Sequence, residues 1–261
     1  MENKSIKDHL ASYKKRVLKV SQNGMWRNKQ YAHVLPEKLK MLNIINSDYY
    51  KMIVDKIENS NIKLHHDFHH LNSSQALCFN LFYPLFFENK FVPLLNFFLD
   101  SNTLNDTVEK YEFEYVENDQ ENTNFDLFVK TTKKNYYFEI KYTENEFGKA
   151  KNDYSHQQKY NEIYKEKLVK FNNVKMEEFF KYYQIFRNLI YDNGYNFFVF
   201  PSYRLDLKET LDKVINNYCS ASRKKHIIYL PIEDIVKTAL DFKNKKLTHH
   251  YELFKEKYFL K

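Results

Sequence analysis

The sequence predicts an α/β (α+β) fold, a mixed central sheet flanked by helices with helical additions at the N- and C-terminal ends. Three observations carry this reading. Apolar residues recur at spacings of three and four on both sides of the chain's middle, which is the helical period. Within the middle, about residues 108–142, the period drops to two, as expected of half-buried strands. Finally, 261 residues of which 43% are hydrophobic and 18% aromatic can bury a real core, excluding a chain left disordered for want of apolar surface.

From Ser5 to about Val20, and again from Pro36 through Glu58, the helical spacing holds (Leu39, Leu42, Ile45; then Tyr50, Ile53, Ile57), so the first sixty residues read as helical. The stretch LHHDFHHLN follows. Asn72, Ser73 and Ser74 then offer side-chain oxygens to cap a helix over about Gln75 to Phe87, and a short helix covers Phe91 to Asp100. After SNTLND, the segments VEKYEFEYVE, NFDLFVKTT and NYYFEIKYTE read as three consecutive antiparallel strands, turning at ENDQENT and at Lys133-Lys134. Helices resume at about Tyr154 to Phe171 and Met176 to Tyr191, the second closed by Asn193-Gly194 with a left-handed residue. NFFVFPS reads as a buried strand, Leu205 to Tyr218 as a helix and HIIYL as a short strand. Pro231 suits the first turn of the next helix, and a Lys-rich amphipathic helix ends the chain.

Lysine plus arginine number 41 against 34 acidic residues, a net charge of +7 that leans toward an anionic partner such as nucleic acid; a nucleotide-biased genome explains such Lys-rich usage equally well. Cys78 and Cys219 are too few for a secreted disulfide scaffold, so both read as structural thiols in a reducing compartment. With no apolar signal core in MENKSIKDHLASYKKR, the expected location is cytoplasmic. The most apolar region, Phe79 to Leu99, is broken by Glu88, Asn89, Lys90, Pro84 and Pro93, which excludes a membrane-spanning helix.

The segment that carries chemistry is Asn124 to Lys149. Glu139 and Lys141 are two apart on one strand and share a face, with Ile140 pointing the other way. Asp126 lies on the preceding strand, and a hairpin turning at Lys133-Lys134 sets it opposite the Glu139 region. Two carboxylates and a lysine converge. The alternative is a solvated cross-strand pair on a surface hairpin, against which Phe125, Phe138 and Ile140 argue for burial.

Asp126, a gap of twelve residues, then Glu139-Ile140-Lys141 resembles the motif of the PD-(D/E)XK nuclease superfamily, with Phe125 in place of the usual proline. The runs SSQALCFNLFYPL and FEIKYTENEFGKA are similar to bacterial restriction endonucleases of the type II kind within it. The resemblance covers about residues 60–205 and implies a restriction-endonuclease-like core there. The chain then reads as a single domain, 1–261, with a helical N-terminal extension over 1–60 and a helical C-terminal region over 205–261. It further implies catalytic Asp126, Glu139 and Lys141 in an endonuclease restricting foreign duplex DNA and leaving 5′-phosphate and 3′-hydroxyl ends. A Mg2+ ion, for which Mn2+ can substitute, wants hard oxygens, and Asp126, Glu139 and the Ile140 carbonyl make a suitable half-site. Lys141 would orient the attacking water or help deprotonate it. A homodimer reaching both strands and a cognate DNA methyltransferase are the partners so implied. Two other functions stay open: a non-catalytic nucleic-acid-binding protein of the same fold, or a nuclease for RNA or for branched or single-stranded DNA in repair.

Further candidates are weaker in pattern. Related nucleases carry an acid on the helix before the sheet, where this chain has Gln75 and Asn80, with Glu88 only at its end. Gln75 reads either as a contact to substrate phosphate or metal-bound water, or as a cap or buried hydrogen-bonding group. Glu114, one of five glutamates between Glu109 and Glu121, reads as solvent-facing or as a further carboxylate behind the trio. Gln184 and Arg187, three apart on a helix face, are candidates to hold the scissile phosphate. His65, His66, His69 and His70 have spacings that would suit zinc on a helix but lack a completing cluster. Lys14-Lys15-Arg16 and Arg223-Lys224-Lys225 read as solvated faces or phosphate contacts.

Overall fold

The structure, a computed structural model, describes residues 2–60, 62–99, 106–117 and 124–260, with side chains from Ser5 onward. Its elements in chain order begin with helix α1 (Glu2–Arg16), strands β1 (Gly24–Trp26) and β2 (Lys29–Tyr31), a 3-10 helix (Glu37–Asn43) and helices α2 (Tyr50–Glu58), α3 (Ser74–Phe87) and α4 (Phe91–Phe98). Strands β3 (Val108–Val116), β4 (Asn124–Thr131) and β5 (Asn135–Ile140) follow. Next come helices α5 (Tyr154–Lys159), α6 (Lys165–Lys167), α7 (Met176–Lys181) and α8 (Tyr183–Leu189), then β6 (Gly194–Phe200). Helices α9 (Leu205–Tyr218) and α10 (Ala221–Lys224), strand β7 (Ile227–Pro231), and helices α11 (Ile232–Asp241) and α12 (Lys245–Tyr258) complete the chain. They gather into two compact units, Met1–Asp106 with Glu233–Lys261, and Thr107–Ile232.

The first unit is built on α3. Every residue from Gln75 to Phe86 is buried, so this helix is a core element on all sides. The Ser73 hydroxyl caps it by accepting from the Ala76 amide. Asn89, at φ 51°, closes it: the Asn89 and Lys90 amides return to the Phe86 and Leu85 carbonyls. Pro84 has no N–H to give the Asn80 carbonyl. His250 of α12 takes that carbonyl with Nε2 at 2.7 Å, and the Tyr251 hydroxyl takes the Leu81 carbonyl at 2.7 Å. The backbone acceptor freed by a helical proline thus becomes the seam between α3 and α12.

The expectation of sixty helical residues is corrected here. Residues 24–31 form an antiparallel hairpin, and 37–43 a 3-10 helix. The cause is local. Arg27 and Asn28 both have positive φ, 46° and 61°, which builds the tight turn whose twist suits two strands. Strands of three residues carry too little periodicity to announce themselves.

The second unit holds the five-stranded sheet, ordered β3-β4-β5-β6-β7. β3, β4 and β5 pair antiparallel as expected, whereas β5-β6 and β6-β7 are parallel, giving a mixed sheet flanked by helices. The expected ENDQENT turn lies outside the described residues beyond Glu117. The Lys133-Lys134 turn is as expected, closed by the Thr131 amide on the Lys134 carbonyl. α7 and α8 are one predicted helix broken at Tyr182 (φ −114°, ψ 34°), and the helix predicted over 154–171 is interrupted by a π-turn, Tyr160–Tyr164, and a 3-10 turn, Leu168–Lys170. Phe179, Phe186, Phe198, Phe200, Leu207 and Leu211 centre the core between these helices and the sheet.

Two local readings change. No glycine has positive φ, so Gly194 does not end α8 in a left-handed turn. It starts β6 where β5 passes so close that a Cβ would lie 2.2 Å from the Asn135 carbonyl oxygen. Pro231 ends β7 instead of opening α11, a position an edge strand tolerates. Among the described residues no helix is long and apolar enough to cross a membrane. Both cysteines are buried and free, and burial pushes the Cys219 thiol up to about 11, which keeps it inert.

Candidate active site

Strand register builds the site. Leu127 pairs with Phe138, so the next pair outward sets Asp126 against Glu139. The ladder stops there, and the Ile140 amide donates to Asp126 Oδ2 at 2.6 Å in place of a backbone carbonyl. Lys141 remains tied to β6 through its amide on the Val199 carbonyl, 2.9 Å. Its ammonium lies 2.9 Å from Glu139 Oε1, and both side chains are buried. The structure therefore brings Asp126, Glu139, Ile140 and Lys141 together at the end of one antiparallel pair.

Glu139 is 4% exposed and held from the opposite side by α8. Gln184 Nε2 donates to Oε1 at 2.6 Å and Asn188 Nδ2 to Oε2 at 2.8 Å. These two residues are four apart, which places them one above the other on the face of α8 turned to the sheet. Each is itself fixed. Gln184 exchanges hydrogen bonds with Gly148, its Oε1 accepting from the Gly148 amide at 2.9 Å, and the Asn188 carbonyl accepts from Asn196 Nδ2 at 3.0 Å. The segment after Lys141 is clamped by Arg204, 4% exposed, which donates to the Tyr142 and Glu144 carbonyls at 3.2 and 2.6 Å and pairs with Asp206. Glu144 turns back to accept from the Tyr142 amide at 2.7 Å.

The charges explain the protonation states. Burial, then the neighbouring charges of Glu139 and Glu114, push the Asp126 carboxyl well above its usual range, against the opposing pull of Lys141 and the Ile140 amide. At Lys141, burial favours the neutral amine. The carboxylates of Glu139, Glu144 and Asp126 outweigh it and raise the ammonium's pKa. Carboxylates outnumber ammonium groups at the trio, and Lys141 keeps its proton.

Gln184 is at the trio, bonded to Glu139. Arg187 is half-buried with its guanidinium 5.0 Å from the Tyr183 ring centre. Gln75 belongs to the other unit, fully buried, accepting from the His65 amide at 2.9 Å and donating to the Lys63 carbonyl at 3.2 Å. Asn80 and Glu88 are likewise bonded within that unit, Glu88 to Tyr49 and Asn244. Glu114 is half-buried and near enough to act on Asp126; its φ of 55° within β3 is unusual for a residue with a side chain. Its register neighbours Phe113 and Tyr115 pair with Leu127 and Phe125, which puts Glu114 across from Asp126.

His69 is turned inward to the Met25 and His66 carbonyls. Among the described residues, no three or more His, Cys, Asp or Glu side chains gather as a metal-ligand group. Of the basic clusters, Lys14 is buried on the Gln22 and Val34 carbonyls, Arg16 pairs with Glu256 at 2.8 Å, and Arg223 donates to the Leu189 and Tyr191 carbonyls. Asn188, Glu144 and Arg204 were not singled out by sequence; only Asn188, one turn after Gln184, carried a signal.

A five-stranded mixed sheet flanked by helices, with two carboxylates and a lysine at the end of its central hairpin, is consistent with a restriction-endonuclease-like fold. Residues 7–259 match the family described as Restriction Endonuclease associating with ARP, and the chain belongs to that family. No curated protein and no solved structure matches it.

Proposed function

We propose that this protein is a metal-dependent endonuclease of the PD-(D/E)XK type that hydrolyses DNA phosphodiester bonds, acting as a restriction endonuclease on foreign duplex DNA. The observation that carries the proposal is the buried Glu139–Lys141 pair, 2.9 Å apart, beside an Asp126 carboxylate bonded to the amide between them. Membership in a restriction-endonuclease family supports the same chemistry.

The donor set fits a hard divalent cation. Asp126 and Glu139 offer carboxylate oxygens, and Glu139 Oε2 carries one donor, Asn188, leaving it a lone pair. The N–H and C=O of an extended residue leave a strand on the same side, so the Ile140 carbonyl faces Asp126's strand along with its amide. These three groups would hold Mg2+, or Mn2+ in its place, with water and phosphate completing the coordination. When bound, the ion supplies a Lewis acid and a template for water and phosphate. Excess carboxylate charge, already visible at Asp126, is what such a cation relieves.

The chain's own residues do the rest. Lys141, kept protonated by three carboxylates, donates to the attacking water or to a phosphate oxygen and neutralises charge there; a retained proton suits orientation over proton abstraction. Gln184 and Asn188 lock the Glu139 rotamer, and Arg204 fixes the backbone that follows Lys141. Gln184 and Arg187 are proposed on the phosphate side; Gln75, buried and bonded to the His65 amide and the Lys63 carbonyl, is a structural group of the first unit. Cutting a duplex takes one hydrolysis per strand, which motivates a homodimer; the restriction reading implies a cognate methyltransferase to protect host DNA, and the family description names association with ARP.

The test is incubation of the purified protein with supercoiled and linear unmodified DNA, beside RNA and branched DNA, in Mg2+, Mn2+ or EDTA. Discrete metal-dependent DNA fragments are expected. Metal-dependent cleavage confined to RNA or branched DNA would overturn the restriction reading, and binding without cleavage in either metal would overturn the enzymatic one.

A further inference from the structure

We propose that the β1–β2 hairpin of the first unit is a base-reading element that enters the major groove of duplex DNA, with Arg27 and Asn28 at its tip contacting base edges. The inference rests on the reading that DNA is the substrate.

The charge is one-sided. From His9 to Pro36 the chain carries six lysines and arginines and no aspartate or glutamate. Two of the six are spent internally, Lys14 on backbone carbonyls and Arg16 on Glu256, while Lys15, Lys19, Arg27 and Lys29 are exposed. Arg27, Asn28, Lys29 and Gln30 are exposed in a row, and among the described residues none of their side chains makes a hydrogen bond or an ion pair. Arg27 is ordered by something else: its guanidinium lies 4.4 Å from the Trp26 ring centre.

The base of the hairpin is rigid. Gly24 sits where a Cβ would lie 2.1 Å from the Leu35 carbonyl oxygen, so two backbones touch there. Its amide bonds the Val34 carbonyl at 2.9 Å, and that carbonyl also accepts from buried Lys14 at 3.0 Å. His69 holds the Met25 carbonyl at 3.2 Å, and Trp26 packs edge-on against Tyr31 and His70.

The tip departs from what a turn alone would select. Two successive residues at positive φ favour glycine or asparagine, yet the first position holds Arg27 at 46°. A residue kept against local backbone preference points to function. Arginine and asparagine are the side chains that pair bidentately with guanine and adenine edges, and a two-stranded ribbon fits the major groove of B-form DNA. The deep, narrow major groove of A-form RNA does not admit it. An acid-free tip also disfavours self-association through the hairpin, since like charges would meet.

The test is selection of bound sequences from duplexes with a randomised central segment, in EDTA, using the full chain and the variants Arg27→Gly, Asn28→Gly and Lys29→Ala. Glycine at either tip position preserves the turn, and circular dichroism melting checks the fold. The glycine variants are expected to lose the parent's preference at one or two base pairs and to bind the selected duplex about 5- to 150-fold more weakly. Lys29→Ala should lower the salt dependence by about one phosphate contact without changing the sequence selected. Glycine variants that select the parent's sequence with unchanged affinity would overturn the hairpin assignment while leaving the nuclease reading intact. A parent that cleaves DNA but selects no sequence would also overturn it. A parent that neither binds nor cleaves duplex DNA would overturn both.

Discussion

Removing the buried cation of the site has a cost that can be worked from its geometry. In Lys141→Met, Glu139 keeps two neutral amide donors, Gln184 at 2.6 Å and Asn188 at 2.8 Å, but loses the ammonium at 2.9 Å. Two unit charges at that distance attract by about 6 kcal/mol at an effective dielectric of about 20, part of which is offset by the burial of both ions. Breaking a buried pair by removing one partner costs about 3–5 kcal/mol, the expected destabilisation near neutral pH in EDTA. Glu139→Gln, which leaves Lys141 beside Asp126 and Glu144, should cost less, about 1–3 kcal/mol. The double variant should be close to Glu139→Gln alone, because the uncompensated carboxylate is gone. Urea unfolding followed by far-ultraviolet circular dichroism measures all three. The Lys141→Met deficit should also shrink as pH falls, since without the lysine the folded state takes up protons that the unfolded chain does not. A Lys141→Met protein within about 1 kcal/mol of the parent would mean that the pair behaves as an exposed one, and the buried-site account would be wrong.

Other perturbations probe separate parts of the account. Asp126→Asn should stabilise the protein in EDTA at pH 8 by about 1–2 kcal/mol, because it removes a carboxylate whose folded pKa burial and Glu139 hold above the unfolded value. The gain should fade as pH drops toward 4 and the parent's Asp126 protonates; a variant less stable than the parent at pH 8 would contradict this. His250 is fully buried with its pKa lowered by burial to about 4, so the folded state resists a proton that the unfolded chain accepts below about 6.5. Stability of the first unit should therefore fall from pH 6.5 to 4, by up to about 3 kcal/mol from His250 alone, with His33 and His70, also lowered to about 4 by burial, adding to the loss. Hydrogen exchange of the α3 amides would report it, and equal protection at pH 7 and 5 would refute it. Gly194→Ala should destabilise by about 2–3 kcal/mol, since its Cβ meets backbone that can only move by opening β5 from β6; an unfolding midpoint equal to the parent's would show that the strands part freely.

The trio was legible because period-two alternation and a short Lys133-Lys134 turn fix register, and register alone decides that Asp126 faces Glu139. The sheet's central strands and α3 were legible for the same reason: long, one-sided or wholly apolar patterns leave few alternatives. The β1–β2 hairpin was not, because three-residue strands hold no pattern and its turn uses Arg27 where glycine or asparagine would have signalled it. Gly194 was misread because an Asn-Gly pair after a helix suits both a left-handed cap and a close strand crossing, and only the tertiary approach of Asn135 decides between them. Arg204 and Glu144 carry no pattern in the sequence, since the groups they hold at the site are backbone carbonyls about sixty residues away and an amide two residues back, which no spacing rule reveals. Asn188 was within reach of the helical repeat from Gln184.

In the proposed reaction Lys141 works with Asp126 and Glu139 in breaking a DNA phosphodiester. The most direct test is the cleavage rate of Lys141→Ala against the parent in Mg2+, on supercoiled DNA, with the variant's fold and DNA binding confirmed first. Parental cleavage that EDTA abolishes is expected, with a loss of about 100-fold or more in the variant. A folded, DNA-binding Lys141→Ala that cuts as fast as the parent would contradict it.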